Sequence, residues 1–187
     1  MLSCSLLVKA AGPSLEFSRY HSPADVTQFL KQTVACHKDL CQLYAVAKSP
    51  GGRDVLLIEI GTEIQAAKKS HPSVFVAANM EGTVPLSTEA ALLLIQQILK
   101  NADSYREKTW LVLPVGNPDA AQRYFEKPLL MDPRNGTIVN DDMDDRQDED
   151  GNDDLNGDGL ITMMRVADPE GERIPLASDP RLMKKAE

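Results

Sequence analysis

The chain has 187 residues, of which 42% are hydrophobic and 26% are charged, and its formal net charge is −8. This composition is typical of a globular domain with a hydrophobic core, and it excludes a coiled coil, a collagen-like repeat and a wholly disordered chain. No apolar run approaches the roughly 20 residues that a membrane-spanning helix needs.

The first predicted helix covers residues 23–36. Ser22 is a suitable N-cap, a proline occupies the first helical position, Asp25 lies in the first turn, and apolar residues then recur at helical spacing. Two strands follow at residues 43–47 and 55–60. The segment between these strands is rich in Pro and Gly, which predicts an antiparallel hairpin.

Two short apolar runs, residues 74–78 and 110–113, predict further strands. Because nearly all of their residues are apolar, we expect strands buried on both faces, with helices on both sides of a parallel sheet. A helix capped by Ser87 or Thr88 and reaching about residue 102 connects them. The elements together predict an α/β fold with a mixed, mostly parallel sheet flanked by helices.

Most of the negative charge lies in residues 140–158. This segment contains ten acidic residues and one Arg, whereas the rest of the chain has 18 acidic and 19 basic residues. It belongs to a region, residues 117–187, in which no periodic pattern predicts a helix or a strand. We expect no nucleic-acid partner, because the sequence has no basic stripe and the acidic segment would repel phosphates.

The acidic segment also has the alternating oxygen ligands of a calcium loop. Residues 154–159 match the first half of a calcium loop, with Gly159 at the sharp turn. Arg165 occupies the position at which the last ligand of such a loop is expected. The alternative is a solvated acidic loop without a metal. The predicted calcium ligands are Asn140, Asp142, Asp144, Asp148, Asp154, Asn156 and Asp158.

Short motifs follow one another in a specific order between residues 20 and 165. They are Tyr20-His21-Ser22, the turn at residues 49–53, the loop at residues 79–85, Asn117-Pro118-Asp119, and Arg134-Asn135 ahead of the acidic segment. The two loops, 79–85 and 114–119, follow predicted strands, where functional groups of α/β sheets gather. In this order the motifs resemble the N-terminal part of the zinc carboxypeptidases of the carboxypeptidase A type, in a bacterial branch with an Asp-rich insertion.

The resemblance implies a carboxypeptidase-like fold that is incomplete relative to the family. The domain would cover residues 20–187, after an N-terminal extension at residues 1–19 and with the Asp-rich insertion at about residues 140–160. One departure is Ala120, which replaces the Gly of the family's N-P-D-G turn.

The resemblance also implies a zinc ion, but the family's ligands are not all present. The family binds zinc through an H-x-x-E pair on the first loop and a distant second His. Here Glu81 stands at the His position and Val84, which has no donor atom, at the Glu position, and all three histidines precede residue 72. We expect a lost or incomplete zinc site without an assignable catalytic residue, with Glu81 as a candidate ligand or, alternatively, as an exposed loop acid.

By the same resemblance, Arg134 and Asn135 bind the terminal carboxylate of a peptide or protein, because Arg pairs with carboxylates through two hydrogen bonds. The alternative is that they are ordinary residues of an Asn-Gly turn. The N-terminus does not match a signal peptide, although the family is compatible with an extracytoplasmic location. The compartment and the oligomeric state stay open.

Two classes of function follow. The first is an enzyme lineage, a zinc metallocarboxypeptidase that hydrolyses C-terminal peptide bonds, inactive or incomplete in this chain because 187 residues leave no room for the family's C-terminal catalytic half. The second is a non-catalytic, calcium-stabilised module that binds peptides or proteins. A third interpretation is a truncated reading frame, in which unpaired strands expose edges and apolar faces.

Overall fold

The computed structural model describes residues 13–126, 131–140, 143, 157–158 and 168–186. Within them the helices are α1 (Pro23–Cys36), α2 (Pro85–Lys100) and α3 (Pro118–Tyr124), and a 3-10 turn covers Ala102–Ser104. The strands are β1 (Cys41–Lys48), β2 (Asp54–Ile60), β3 (Ser73–Ala77), β4 (Thr109–Leu113), β5 (Arg173–Leu176) and β6 (Asp179–Lys185). None of the helices in these ranges is long and apolar enough to cross a membrane.

Helix α1 forms where the sequence predicts it, and two reciprocal hydrogen bonds fix its start. The Ser22 hydroxyl accepts from the Asp25 backbone amide at 3.2 Å, and the Asp25 carboxylate accepts from the Ser22 backbone amide at 3.0 Å. These bonds satisfy amides that the first helical turn leaves unpaired. Phe29 and Leu30 are buried, so the apolar face of α1 contacts the core.

Strands β1 to β4 form one sheet in the order β1-β2-β4-β3. The β1–β2 pair is the predicted antiparallel hairpin, and β2 is also antiparallel to β4. Strands β3 and β4 are parallel and are connected through α2. The predicted α/β fold with a mixed sheet is confirmed. Among these four described strands one pair is parallel and two are antiparallel, so the sheet is not mostly parallel here, because the β1–β2 hairpin and the β2–β4 pair both run antiparallel.

Helices α1 and α2 pack on the same face of this sheet. Leu30 of α1 and Ile95 of α2 belong to one buried cluster with Ile58 and Val112. On the opposite face, the Phe75 side chain is 60% exposed. Helices on both faces are therefore not found among the described residues, because an apolar run does not reveal how many faces of a strand are covered.

Two further elements lie where no helix or strand is predicted. Helix α3 starts at Pro118, and the side-chain oxygen of Asn117 accepts from the Ala120 amide at 3.2 Å. Strands β5 and β6 form a separate antiparallel hairpin, and β5 is exposed along most of its length, which explains its weak apolar pattern. The predicted division of the chain at residue 20 stays a prediction.

Candidate functional site

The loop that follows β3 is closed by the side chain of Asn79. This residue is buried and has a positive φ of 47°. Its side-chain oxygen accepts from the Val84 amide at 3.0 Å, and its NH₂ group donates to the Thr88 hydroxyl at 3.1 Å. Its backbone amide donates to the Ser87 hydroxyl at 2.9 Å. The Asn79 amide therefore fixes the loop and the start of α2.

This loop contacts the loop that follows β4. The contact was expected, because both loops follow the carboxyl ends of neighbouring strands. Gly82 has a φ of 77°, and a Cβ added there would lie 2.4 Å from the Ala120 Cβ of α3. A Cβ added to Gly116 would lie 2.3 Å from the Met80 sulfur. Only glycine fits such close approaches, and only glycine adopts the Gly82 conformation without strain. The two predicted functional loops thus form one surface.

The side chains on this surface do not fit the zinc ion that the family resemblance implies. Glu81 is exposed and Val84 has no donor atom. A catalytic zinc site uses three protein ligands, and the described residues contain no group of three His, Cys, Asp or Glu side chains that could hold a metal ion. The role of Glu81 as a metal ligand stays a prediction.

His21 lies in a buried pair with α2. Its Nδ1 is 2.7 Å from Oε2 of Glu89, and its backbone amide donates to Oε1 at 2.7 Å. Both side chains are buried. The pair joins the segment ahead of α1 to α2, so the imidazole acts in packing the fold.

Asp119 is the central acidic residue beside the two loops, and its side chain is only 1% exposed. Its Oδ1 accepts from the Ser49 hydroxyl at 2.7 Å and from Arg53 Nη1 at 3.0 Å. Its Oδ2 accepts from the backbone amides of Gly51 at 3.0 Å and Gly136 at 2.7 Å. The carboxylate therefore joins the β1–β2 turn, α3 and the segment around residue 136.

These contacts stabilise the charged form of the Asp119 carboxyl group. Burial alone raises the pKa of a carboxyl group, but the hydrogen bonds from Ser49, Gly51, Gly136 and Arg53 outweigh burial and lower the pKa of Asp119 to about 2. The motifs at residues 49–53 and 117–119 were recognised from the sequence, but their contact through this carboxylate was not predicted.

The two predicted carboxylate-binding residues lie in the turn that Asp119 anchors. The Arg134 side chain is 57% exposed, and its Nε donates to Asp132 at 3.0 Å. The side-chain oxygen of Asn135 accepts from the Thr137 amide at 3.0 Å. Arg123 donates to the backbone carbonyl of Arg134 and so braces the turn from α3. Arg134 and Asn135 are neighbours on one exposed turn, and their binding role stays a prediction.

A cleft of about 660 Å³ lies between α1, the β1–β2 hairpin and α3. Arg53, which is 42% exposed, is one of its lining residues. Lys31 supplies a second cation, Gln122 a polar amide, and Leu56 with Pro118 an apolar wall. The size is within the roughly 300–1,000 Å³ of ligand-binding clefts. Sequence reasoning missed this cleft, because its walls come from three distant parts of the chain.

Of the predicted calcium ligands, Asn140 and Asp158 are described, the first partly buried and the second exposed. Asp142, Asp144, Asp148, Asp154 and Asn156 lie outside the described residues. Calcium binding by this segment stays a prediction.

The zinc carboxypeptidase family model matches residues 26–157. Among curated proteins, carboxypeptidase D of Homo sapiens is 26% identical over 133 residues, which cover 67% of this chain and 10% of that protein. A zinc carboxypeptidase of Saccharothrix mutabilis subsp. capreolus is 30% identical over 115 residues, which cover 57% of this chain and 26% of that protein. The crystal structure of carboxypeptidase A from Helicoverpa armigera matches with a TM-score of 0.55 and 25% identity, over 59% of this chain and 28% of that chain.

The chain thus matches 10% and 26% of the lengths of these two curated relatives. The match begins inside α1 and runs through the four-stranded sheet, both loops, α3 and the Asp119 contacts, and it ends at residue 157. Since the family model covers well over half of the sequence, this chain belongs to the zinc carboxypeptidase family.

Proposed function

We propose that this chain binds the C-terminus of a peptide or protein, and that the loop after β3 does not hold the hydrolytic zinc ion of its family. The chemistry of that loop supports the proposal. The side-chain oxygen of Asn79 accepts from the Val84 amide and closes the loop. By the family resemblance, Glu81 and Val84 stand at the positions of the zinc-binding pair. Hydrolysis is not part of the proposal, because the described donor set does not fit zinc.

Arg134 recognises the terminal carboxylate in this proposal. Its exposed guanidinium is oriented by Asp132, which accepts from Nε at 3.0 Å. A guanidinium binds a carboxylate through two parallel charge-assisted hydrogen bonds. Asn135, whose oxygen accepts from Thr137, contributes its NH₂ group as a further donor. In this proposal, the cleft lined by Arg53 takes the side chains of the preceding peptide residues.

Calorimetric titration with two peptides tests the binding. The peptides share one sequence and differ only in a free C-terminal carboxylate or a C-terminal amide. We expect the free carboxylate to bind at least about tenfold more tightly, since each 1.4 kcal/mol of a charge-assisted contact is a factor of ten. Arg134→Ala should abolish the difference. Arg106→Ala is the matched control, because Arg106 is an exposed arginine whose ion pair is with Asp103. Equal binding of both peptides contradicts the proposal.

Metal analysis of the purified chain tests the zinc part. We expect no stoichiometric zinc and no release of C-terminal residues in the presence of zinc. The double variant Glu81→His, Val84→Glu places the H-x-x-E pair on two exposed side chains, and it should increase zinc affinity over the wild type. Stoichiometric wild-type zinc together with peptide hydrolysis would defeat the proposal and favour the enzyme.

Calcium is the second part of the proposed module. The alternating carboxylates of residues 140–158 repel one another unless cations are bound, and oxygen-rich loops of this kind suit calcium. We assign calcium a stabilising role, separate from peptide binding.

A further inference from the structure

The backbone of the turn at residues 132–136 is held by side chains of α3 and of its N-cap. This turn lies outside the helices and strands of the described residues, so side chains supply partners for its polar backbone groups. Asn117 donates to the Pro133 carbonyl at 2.8 Å, and Asp119 accepts from the Gly136 amide at 2.7 Å. Arg123 holds the carbonyls of the other three residues. The turn therefore takes its shape from α3.

Arg123 makes most of these contacts. Its Nη1 donates to the Asn135 carbonyl at 3.5 Å, and its Nη2 donates to the Asp132 carbonyl at 3.4 Å and to the Arg134 carbonyl. A guanidinium is planar and carries five N–H donors in a fixed arrangement, so one arginine can hold several acceptors at defined positions. A lysine ammonium is a compact charge on a flexible stem and cannot do the same.

Asp132 connects Arg123 to Arg134. Its Oδ2 lies 3.8 Å from Nη2 of Arg123 and 3.0 Å from Nε of Arg134. Its Oδ1 accepts from the Arg134 backbone amide at 2.9 Å. One carboxylate thus lies between two guanidiniums and holds both the backbone and the side chain of Arg134. A side chain that is already held loses less conformational entropy when it binds a ligand.

We propose that Arg123 is a positioning residue for the carboxylate-binding turn. It fixes the turn through the backbone carbonyls, and through Asp132 it orients the Arg134 guanidinium, while it does not contact the peptide itself. This inference rests on the proposed function, in which Arg134 binds the terminal carboxylate. It makes affinity for the carboxylate depend on a side chain of α3 that lies behind the binding residue.

Arg123→Lys tests the proposal in the complete chain, with the two peptides that differ only in a free C-terminal carboxylate or a C-terminal amide. The variant keeps the charge but loses the planar group. The free-acid peptide should bind about two- to tenfold more weakly, which corresponds to immobilising one long side chain on binding. Affinity for the amide peptide should not change. Arg106→Lys is the matched control, because Arg106 is an exposed arginine paired with Asp103 at 3.6 Å, and it should bind both peptides like the wild type.

A double-mutant cycle separates positioning from direct contact. In an Arg134→Ala background, Arg123→Lys should leave both affinities unchanged, because the side chain through which Arg123 acts is absent. A further loss of free-acid affinity in that background overturns the proposal, since Arg123 would then contact the peptide. Asp132→Asn interrupts the same chain of contacts without altering α3. It should also weaken free-acid binding about two- to tenfold, and it decides the question if Arg123→Lys does not fold.

The outcomes distinguish this inference from the proposed function. Equal binding of the two peptides by the wild type, or a preference that survives Arg134→Ala, overturns the proposed function and this inference with it. If the wild type prefers the free carboxylate and Arg134→Ala removes the preference, an unchanged preference in Arg123→Lys or in Asp132→Asn overturns this inference alone. An equal loss of affinity for both peptides in Arg123→Lys also overturns it, because a general weakening of the fold affects both peptides alike.

Discussion

Replacing Asp119 by Asn is the sharpest test of how the candidate site is held together. The substitution keeps the shape of the side chain but removes its charge and turns one acceptor into a donor. Four donors point at the two carboxylate oxygens, from Ser49, Arg53, Gly51 and Gly136. An amide at this position can accept from only one pair of them.

The expected loss of stability is about 2–3 kcal/mol. Lowering a carboxyl pKa from 3.8 to about 2 corresponds to about 2 kcal/mol of preference for the charged form. The new NH₂ group will face Ser49 and Arg53, because the serine hydroxyl can turn to accept and the arginine is partly exposed to water. That orientation keeps both backbone amides bonded and avoids most of the roughly 1–3 kcal/mol that a buried unpaired donor costs.

Urea unfolding followed by the fluorescence of Trp110 measures this loss. Asp54→Asn is the matched control in the same hairpin, because Asp54 forms an exposed ion pair with Lys48 at 2.7 Å. Such surface pairs contribute about 0–1 kcal/mol, so the control should differ little from the wild type. A loss below about 0.5 kcal/mol in Asp119→Asn, or an equal loss in both variants, would refute the reasoning.

The pH dependence gives an independent check with a defined sign. The folded-state pKa of Asp119 lies below the unfolded value of about 3.9, so its stabilisation is fully present above about pH 4 and is lost as the pH falls through about 2. The difference between the wild type and Asp119→Asn should be constant near neutral pH and should shrink in acid. A constant difference down to pH 2 would contradict the charge argument.

Three other outcomes can be measured on the same protein. Gly82→Ala should destabilise the fold by more than about 2 kcal/mol, because its Cβ would lie 2.4 Å from a side chain of α3. Gly52 has the same φ of 77° but open space around it, so Gly52→Ala should lose less stability. Burial and the nearby Glu59 carboxylate raise the pKa of Tyr44 to about 12. The contribution of Tyr44 to stability is therefore present below about pH 10 and is lost as the pH rises through about 12. The tyrosinate absorbance step at that pH should be missing in Tyr44→Phe, and a step that persists contradicts the assignment. Millimolar calcium should raise the Tm and a chelator should reverse the shift, while an equal shift with magnesium, or no shift, contradicts the calcium loop.

The parts of the fold that the sequence predicted are those whose signals are local. The start of α1 depends on Ser22 and Asp25, three residues apart, and the β1–β2 hairpin depends on one Pro-Gly turn. Strands β5 and β6 were missed because an exposed hairpin lacks the alternation of apolar and polar residues that marks a half-buried strand.

The contacts of the candidate site are of a different kind. Asp119 binds Ser49, which lies 70 positions earlier in the chain, and Arg53, which lies 66 positions earlier. No local pattern encodes such a contact, so the family resemblance located the motifs without showing that one carboxylate joins them. The same limit applies to the cleft between α1 and α3, whose walls meet only in the folded chain.

In the loop after β3, residues 79–85, the residues that fix the backbone conformation differ from the residues whose side chains are exposed to a ligand. Its shape depends on Asn79, on the positive φ of Gly82 and on the hydroxyls of Ser87 and Thr88. The side chains of residues 81 and 84 take no part in those hydrogen bonds and are exposed. Substitutions at these two positions can therefore change which ion or ligand the loop accepts while leaving its backbone unchanged. Under the proposed function, in which Glu81 and Val84 stand at the family's metal-binding positions, this independence lets the loop keep its form without that pair.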